Sequence, residues 1–365
     1  MEPMRPVRIR AMRFGWGLAL LLLPATATAQ EDTITFIDGR AEREGKVTSV
    51  SCKEVFMRLA SAPEAPPQST ERDQILELTI DKSNWPRSYV EGKRAMDKGE
   101  YDKAIEAFQR EMKGADPKEW AYQFAAWGLA ECYGHAGRAA DRTATLIELK
   151  SKSPESYFLG DIYRDLADQH IRAKQYADAE KVASEMEGHA SSHGHDNWRK
   201  GAQFLKATVL VAQEKYREAL TILRGLTSDP FVGVDAQCLE LRSLTGSGDF
   251  GGARSKASAL VKAKADVRVM TAAFSALGDC DRKDGKRKEA MLNYLRGITE
   301  FDAYPSAEHE YALAYAAIAE AEYAAASTDE TIKESYRNRA ATLLNQLKSG
   351  YGESGLTAAV EAALK

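Results

Sequence analysis

The residues whose types and spacing could do chemistry lie at His189, His193, His195 and Asp196. Imidazole and carboxylate donors at such short range could hold Zn, Cu or Ni. The same segment, HASSHGHD, is also what a polar connection between two helical units looks like, rich in small residues and with no helix to fix ligand spacing. No other motif offers a reaction. There is no Gly-rich phosphate loop, no HExxH, no G-x-S-x-G and no CxxC. Carboxylates such as Glu100, Asp102 and Glu106 are strung along helix surfaces, as on a solvated face, rather than gathered into an acid–base pair. With no nucleophile–base pair visible, the chain is expected not to be an enzyme and to need no cofactor.

The elements that would position these residues begin after a leader. Arg5, Arg8, Arg10 and Arg13 form a basic region, Phe14 to Leu23 a short apolar core, and Ala27-Thr28-Ala29 a small-residue cleavage pattern before Gln30. The apolar run is about half the ~20 residues of a membrane span. Residues 1–29 therefore read as a cleaved signal peptide, and the mature chain from Gln30 is expected in the periplasm or secreted, without a membrane span. A retained N-terminal anchor is the alternative. Without the leader, 46 basic side chains face 53 acidic ones, a net charge of −7. A mildly acidic chain with no large basic block is a poor match to nucleic acid or an anionic membrane.

Residues 30–87 differ from the rest. Thr33 to Ile37 alternates like a strand, Asp38-Gly39 signals a turn, and Gly45 to Val50, Glu54 to Met57 and Ile75 to Ile80 read as further strands. Ala62 to Thr70 is Pro-rich and reads as a loop. This order of strands resembles small SH3-like or Sm-like barrels. The other reading is a β-rich cap over the apolar face of the first helical repeat, since terminal repeats must be covered.

From Ser88 onward one helical-hairpin pattern recurs, cleanest in GEYDKAIEAFQRE from Gly99 to Glu111. A small residue recurs at Ala104, Ala179, Ala219, Ala253, Ala290 and Ala340, with Arg142 in the slot of the second copy. The intervals are 38, 37, 40, 34, 37 and 50 residues, a period that signals a solenoid rather than a compact globule. Turns are expected near Gly99, Gly137, Lys174, Glu214, Gly248 and Gly285. Residues 88–350 then form the array, stretched in its last copy between Ser327 and Ser335, and residues 351–365 a capping helix. Cys52, Cys132, Cys238 and Cys280 are an even set, which raises the disulfide question. Cys238 and Cys280 would be staggered by about 7.5 Å on neighbouring helices at ~1.5 Å rise per residue, beyond comfortable bonding reach. Four buried free thiols are expected.

The copies resemble tetratricopeptide repeats (TPR). In the first copy Gly92, Gly99, Tyr101, Ala104, Phe108 and Pro117 match the family pattern, and in the sixth Leu277, Gly278, Gly285, Ala290 and Tyr294 do. The resemblance implies a mainly α fold, a right-handed α-solenoid of about seven TPR-like helical hairpins behind a small β-rich N-terminal domain. It implies that first helices line a concave groove, on a register that selects Tyr89, Lys93, Trp127, Glu131, Arg164, Asp168, Phe204, Arg242, Asp279 and Arg282, with Trp127 and Arg164 expected to be exposed. Their mixed charge suits a protein or peptide segment better than a uniformly anionic polymer. Exported relatives of this arrangement often serve in envelope assembly or secretion complexes. The expected function is a non-catalytic exported scaffold that binds a protein or peptide on its concave face. The alternative is a carbohydrate- or metal-handling protein that uses the solenoid as a support.

Overall fold

The computed structural model of the protein describes residues 31–365, apart from 37, 38, 195, 302 and 353. The leader at 1–29 and the Asp38 half of the expected turn lie outside the described residues.

The N-terminal segment forms one antiparallel sheet of five strands: β1 (Asp32–Phe36), β2 (Arg43–Val50), β3 (Glu54–Leu59), β4 (Gln68–Glu71) and β5 (Ile75–Thr79). Their order is β4-β3-β2-β1-β5, a meander whose last strand returns to pair with the first. Alternation in β1 turns Ile34 and Phe36 inward and Thr33 and Thr35 outward. The second strand can approach the third because Gly45 lacks a side chain: a Cβ there would sit 2.1 Å from the carbonyl oxygen of Arg58. The buried Asp32 carboxylate accepts from the backbone amides of Val47 and Asp81, each at 2.7 Å, and so ties β1 to β2 and to the exit of the sheet. One expectation needs correction. The Pro-rich stretch is a loop only to Pro67, because Gln68 to Thr70 pair with β3 as part of β4.

Helices follow in pairs: α1 (Arg87–Asp97) with α2 (Tyr101–Gly114), α3 (Trp120–His135) with α4 (Ala139–Lys152), and α5 (Leu159–Arg172) with α6 (Tyr176–His193). Next come α7 (Asp196–Ala212) with α8 (Tyr216–Leu223), α9 (Gly233–Gly246) with α10 (Phe250–Ala263), α11 (Val267–Lys283) with α12 (Arg287–Thr299), and α13 (Ala307–Ala326) with α14 (Glu330–Tyr351). A short α15 (Thr357–Ala363) closes the array and buries Val360 against α13 and α14. The first six hairpins turn where the pattern places them, with positive φ at Gly99, Gly137, Lys174, Glu214, Gly248 and Gly285. The seventh turns at Ser327, with Asp329 capping α14. Of the expected stretch only Glu330 to Ser335 is helix, because α14 runs unbroken from Glu330.

Small residues sit where paired helices cross. Ala104, Ala179, Ala219, Ala253, Ala290 and Ala340 are all 0% exposed. The Phe108 ring is held between two glycines: a Cβ at Gly92 would lie 2.7 Å from the ring, and one at Gly128 2.8 Å. Arg142, which replaces the small residue in the second hairpin, lies against Gly134 and pairs with Asp165 on α5. The sheet does not cover the first hairpin. Its inward residues Ile34, Phe36, Val55, Met57 and Ile75 share one core with Tyr122, Leu146, Leu159 and Ile162 of the second and third hairpins. The inner sheet face is apolar enough to complete their core, whereas the first hairpin completes its own with α3.

Candidate functional site

Two large cavities are lined mainly by side chains of first helices. The first, about 780 Å³, is bounded by β5, α1, α3 and the two residues before α5, Tyr157 and Phe158. Tyr89, Lys93, Trp127 and Glu131 all line it. Its wall is aromatic. Trp85 stacks on Tyr89 with ring centres 3.8 Å apart, and Trp127 lies parallel to Phe158 at 4.9 Å. Trp127 is therefore half-buried, packed against the core shared with the sheet, where the sequence suggested a more exposed side chain. Tyr89 is buried as well. β5, an edge strand of the sheet, borders the same cavity, and its Leu76 is 67% exposed. Arg72 fixes this strand over the helices: it donates to the Tyr157 carbonyl at 3.3 Å and pairs with Asp161.

The second cavity, about 850 Å³, is lined by α9, α11 and α13 and by turn-end residues including Tyr216 and Arg287. Arg242, Asp279 and Arg282 meet in it. Asp279 accepts hydrogen bonds from Tyr294 at 2.6 Å and from Tyr311 at 3.1 Å. Burial raises its carboxyl above the usual range, and the two phenolic donors pull it partly back. Arg282 grips Glu322 with its Nε 3.0 Å from both carboxylate oxygens. Tyr311 and Tyr315 stack at 4.2 Å, with the Arg242 guanidinium 5.4 Å from the Tyr311 ring. Arg242, Lys283 and Arg287 make no ion pair among the described residues, so this end keeps a surplus of positive charge.

The other groove residues fall differently. Arg164 is exposed, pairs with Asp161 at 2.7 Å, and borders a smaller cavity beside Leu76 and Tyr157. Asp168 pairs with Arg172 at 2.8 Å. Phe204 packs against the core of the fourth and fifth hairpins. Asp168 and Phe204 line neither large cavity. Sequence reasoning missed Tyr311, Tyr315 and Glu322. The i,i+4 tyrosines on one helix face were a usable signal; the Arg282–Glu322 pair, 40 residues apart, was not.

The histidine segment is also corrected. His189 and His193 are not in a loop, since α6 extends to His193, with Gly194 as its C-cap, and α7 begins at Asp196. His195 lies outside the described residues, and Asp196 pairs with Arg199. His189 instead meets two residues the sequence did not connect with it. The Cys52 thiol donates to Glu155 Oε2 at 3.2 Å and lies 3.8 Å from His189 Nε2, and His193 Nε2 is 3.3 Å from Glu155 Oε1. Burial first, then the bond to Glu155, push the Cys52 thiol up to about 12. All four cysteines are buried and free.

Among the described residues no helix is long and apolar enough to cross a membrane. No protein-family model and no curated protein matches the chain. Solved structures do. A tetratricopeptide repeat protein from Parabacteroides merdae is similar with a TM-score of 0.54 and 12% identity, over 76% of this chain and 97% of that one. Looser likenesses are the C-terminal part of a TPR repeat-containing protein from Cytophaga hutchinsonii and the protein NprR in complex with its cognate peptide NprX. The first has a TM-score of 0.40 and 12% identity over 76% and 99% of the two chains, the second 0.42 and 13% over 78% and 73%. With seven helical hairpins among its described residues, each crossing on a buried small residue or its Arg142 substitute, the chain has the tetratricopeptide-repeat fold.

Proposed function

We propose that the protein is a non-catalytic scaffold that holds an extended protein segment along its first-helix face. What supports this is a pair of chemically different cavities, each lined mainly by first helices. The first offers an aromatic wall beside a sheet edge, and an apolar stretch can lie there while its backbone pairs with β5. The second offers tyrosines with Arg242, Lys283 and Arg287, which make no ion pair among the described residues and suit acidic side chains or a terminal carboxylate. A segment that is apolar at one end and acidic at the other satisfies both. The basic, apolar and Ala27-Thr28-Ala29 pattern of residues 1–29 supports action after export, in the periplasm or outside the cell, as part of an envelope or secretion assembly.

The test is photo-crosslinking from side chains introduced at Lys93 and, separately, at Arg242, in protein expressed in its native cell. The expected result is one partner segment captured at both positions, its apolar part at Lys93 and its acidic part at Arg242. Capture of unrelated chains at the two positions, or of none, would count against a single extended ligand.

A further inference from the structure

We propose that Cys52, Glu155 and His189 form a three-donor binding site for a zinc-type divalent metal ion that clips the sheet to the third hairpin. One donor atom each from Cys52, Glu155 and His189 lies within 4.8 Å of the other two. Around zinc, with bonds of about 2.3 Å to sulfur and 2.0–2.2 Å to nitrogen and oxygen, tetrahedral donor atoms stand roughly 3.5 Å apart. The Cys52 sulfur is 3.2 Å from the Glu155 oxygen and 3.8 Å from the His189 nitrogen, on either side of that spacing. A mixed thiolate, imidazole and carboxylate set suits zinc better than hard cations.

The donors are held from three directions. Cys52 sits in the turn between β2 and β3, where Ser51 Oγ accepts from the amides of Lys53 and Glu54, and the Cys52 amide donates to the Glu155 carbonyl at 2.9 Å. Glu155 lies in the connection from α4 to α5. His189 and His193 are one turn apart near the end of α6, and their rings stack at 4.1 Å. The i,i+4 spacing puts both imidazoles on one helix face, where His193 Nε2 lies 3.3 Å from Glu155 Oε1 and positions that carboxylate beside His189. A plain thiol–carboxylate hydrogen bond would explain the Cys52–Glu155 contact but not the convergence of two imidazoles on it. On binding, the Cys52 S–H bond breaks, its proton leaves to solvent, and the sulfur lone pair bonds the metal without change of oxidation state.

The experiment adds Zn2+ to tag-free full-length protein stripped with a chelator, and follows metal content and melting temperature. Co2+ is used as a second probe for its thiolate charge-transfer absorption. The expected result is one equivalent of Zn2+ with a raised melting temperature, and a thiolate band with Co2+. In Cys52→Ser the band should vanish and Zn2+ affinity fall by about 100-fold or more, with far-UV dichroism unchanged. His189→Ala gives the same readout should Cys52→Ser fold poorly. No uptake by the wild type would overturn the site. So would uptake that persists in both variants, which would assign the metal to exposed histidines.

Discussion

The Tyr294 hydroxyl donates to Asp279 Oδ1 at 2.6 Å, so a carboxylate on the groove register is tied to the second helix of its own hairpin. Tyr311 donates to the same carboxylate from the next hairpin. Asp279 thus helps register two hairpins on the wall of the second cavity and is not freely offered to a ligand.

That position sets a pH dependence. Burial raises the folded-state pKa of Asp279 above its ordinary 3.8. The folded state then holds this proton more tightly than the unfolded chain does. The associated stability is fully present below pH 3.8 and is lost as pH rises through the raised value. Relative to wild type, Asp279→Asn should therefore gain stability as pH climbs out of the carboxylate range. Urea midpoints of both proteins across that range check this; a difference that does not change with pH would contradict it.

Gly128→Ala tests the seat of Phe108. Helix propensity alone favours Ala by ~1 kcal/mol. Its Cβ would nevertheless stand 2.8 Å from a ring that is 0% exposed and has Gly92 on another side. Overpacking should win, with a net loss of about 1–3 kcal/mol. Ala104→Leu should cost a similar ~1–3 kcal/mol where α1 and α2 cross. A thermal shift within error for both would mean that neither α1 nor α3 packs closely on α2 there.

Trp127 and Arg242 should separate fold from binding. Trp127 stacks on Phe158, so Trp127→Ala should cost about 1–3 kcal/mol of stability, below the ~3–5 expected for the fully buried Phe108→Ala. Arg242 is exposed and makes no ion pair among the described residues, so Arg242→Ala should leave the melting temperature nearly unchanged. Thermal melts of the three variants give the ranking, and a stability loss for Arg242→Ala equal to that for Trp127→Ala would break it.

Sequencing of the N-terminus of protein recovered from its native cell should begin at Gln30. A mature form that keeps Met1 would favour an anchored chain instead.

The hairpins were legible because their signals are local. A turn residue at Gly99 or Gly285 and a small residue five positions after it, Ala104 or Ala290, lie within one stretch of chain. Even Lys174 and Glu214, which adopt φ of 58° and 61° without being glycine, were marked by their place in the repeat. What escaped is non-local or depends on pairing. β4 is polar and short, and only its ladder with β3 makes it a strand. The extension of α6 through His193 overrides the loop-like composition there. The Cys52–His189 approach joins residues 137 apart, and no spacing rule reaches that far. The groove register brought Tyr89, Lys93, Trp127 and Glu131 together, as it did Arg242, Asp279 and Arg282. It could not foresee that Asp279 and Arg282 would already be engaged within the chain.

The central claim is that one segment lies along the first-helix face, and calorimetric titration of the crosslinked segment, made as a synthetic peptide, measures it most directly. Arg242→Ala should weaken binding by more than ~2 kcal/mol, about thirtyfold, as removal of an anchoring arginine does, while its melting temperature stays at the wild-type value. Wild-type affinity in Arg242→Ala, at an unchanged melting temperature, would place the ligand somewhere other than this face.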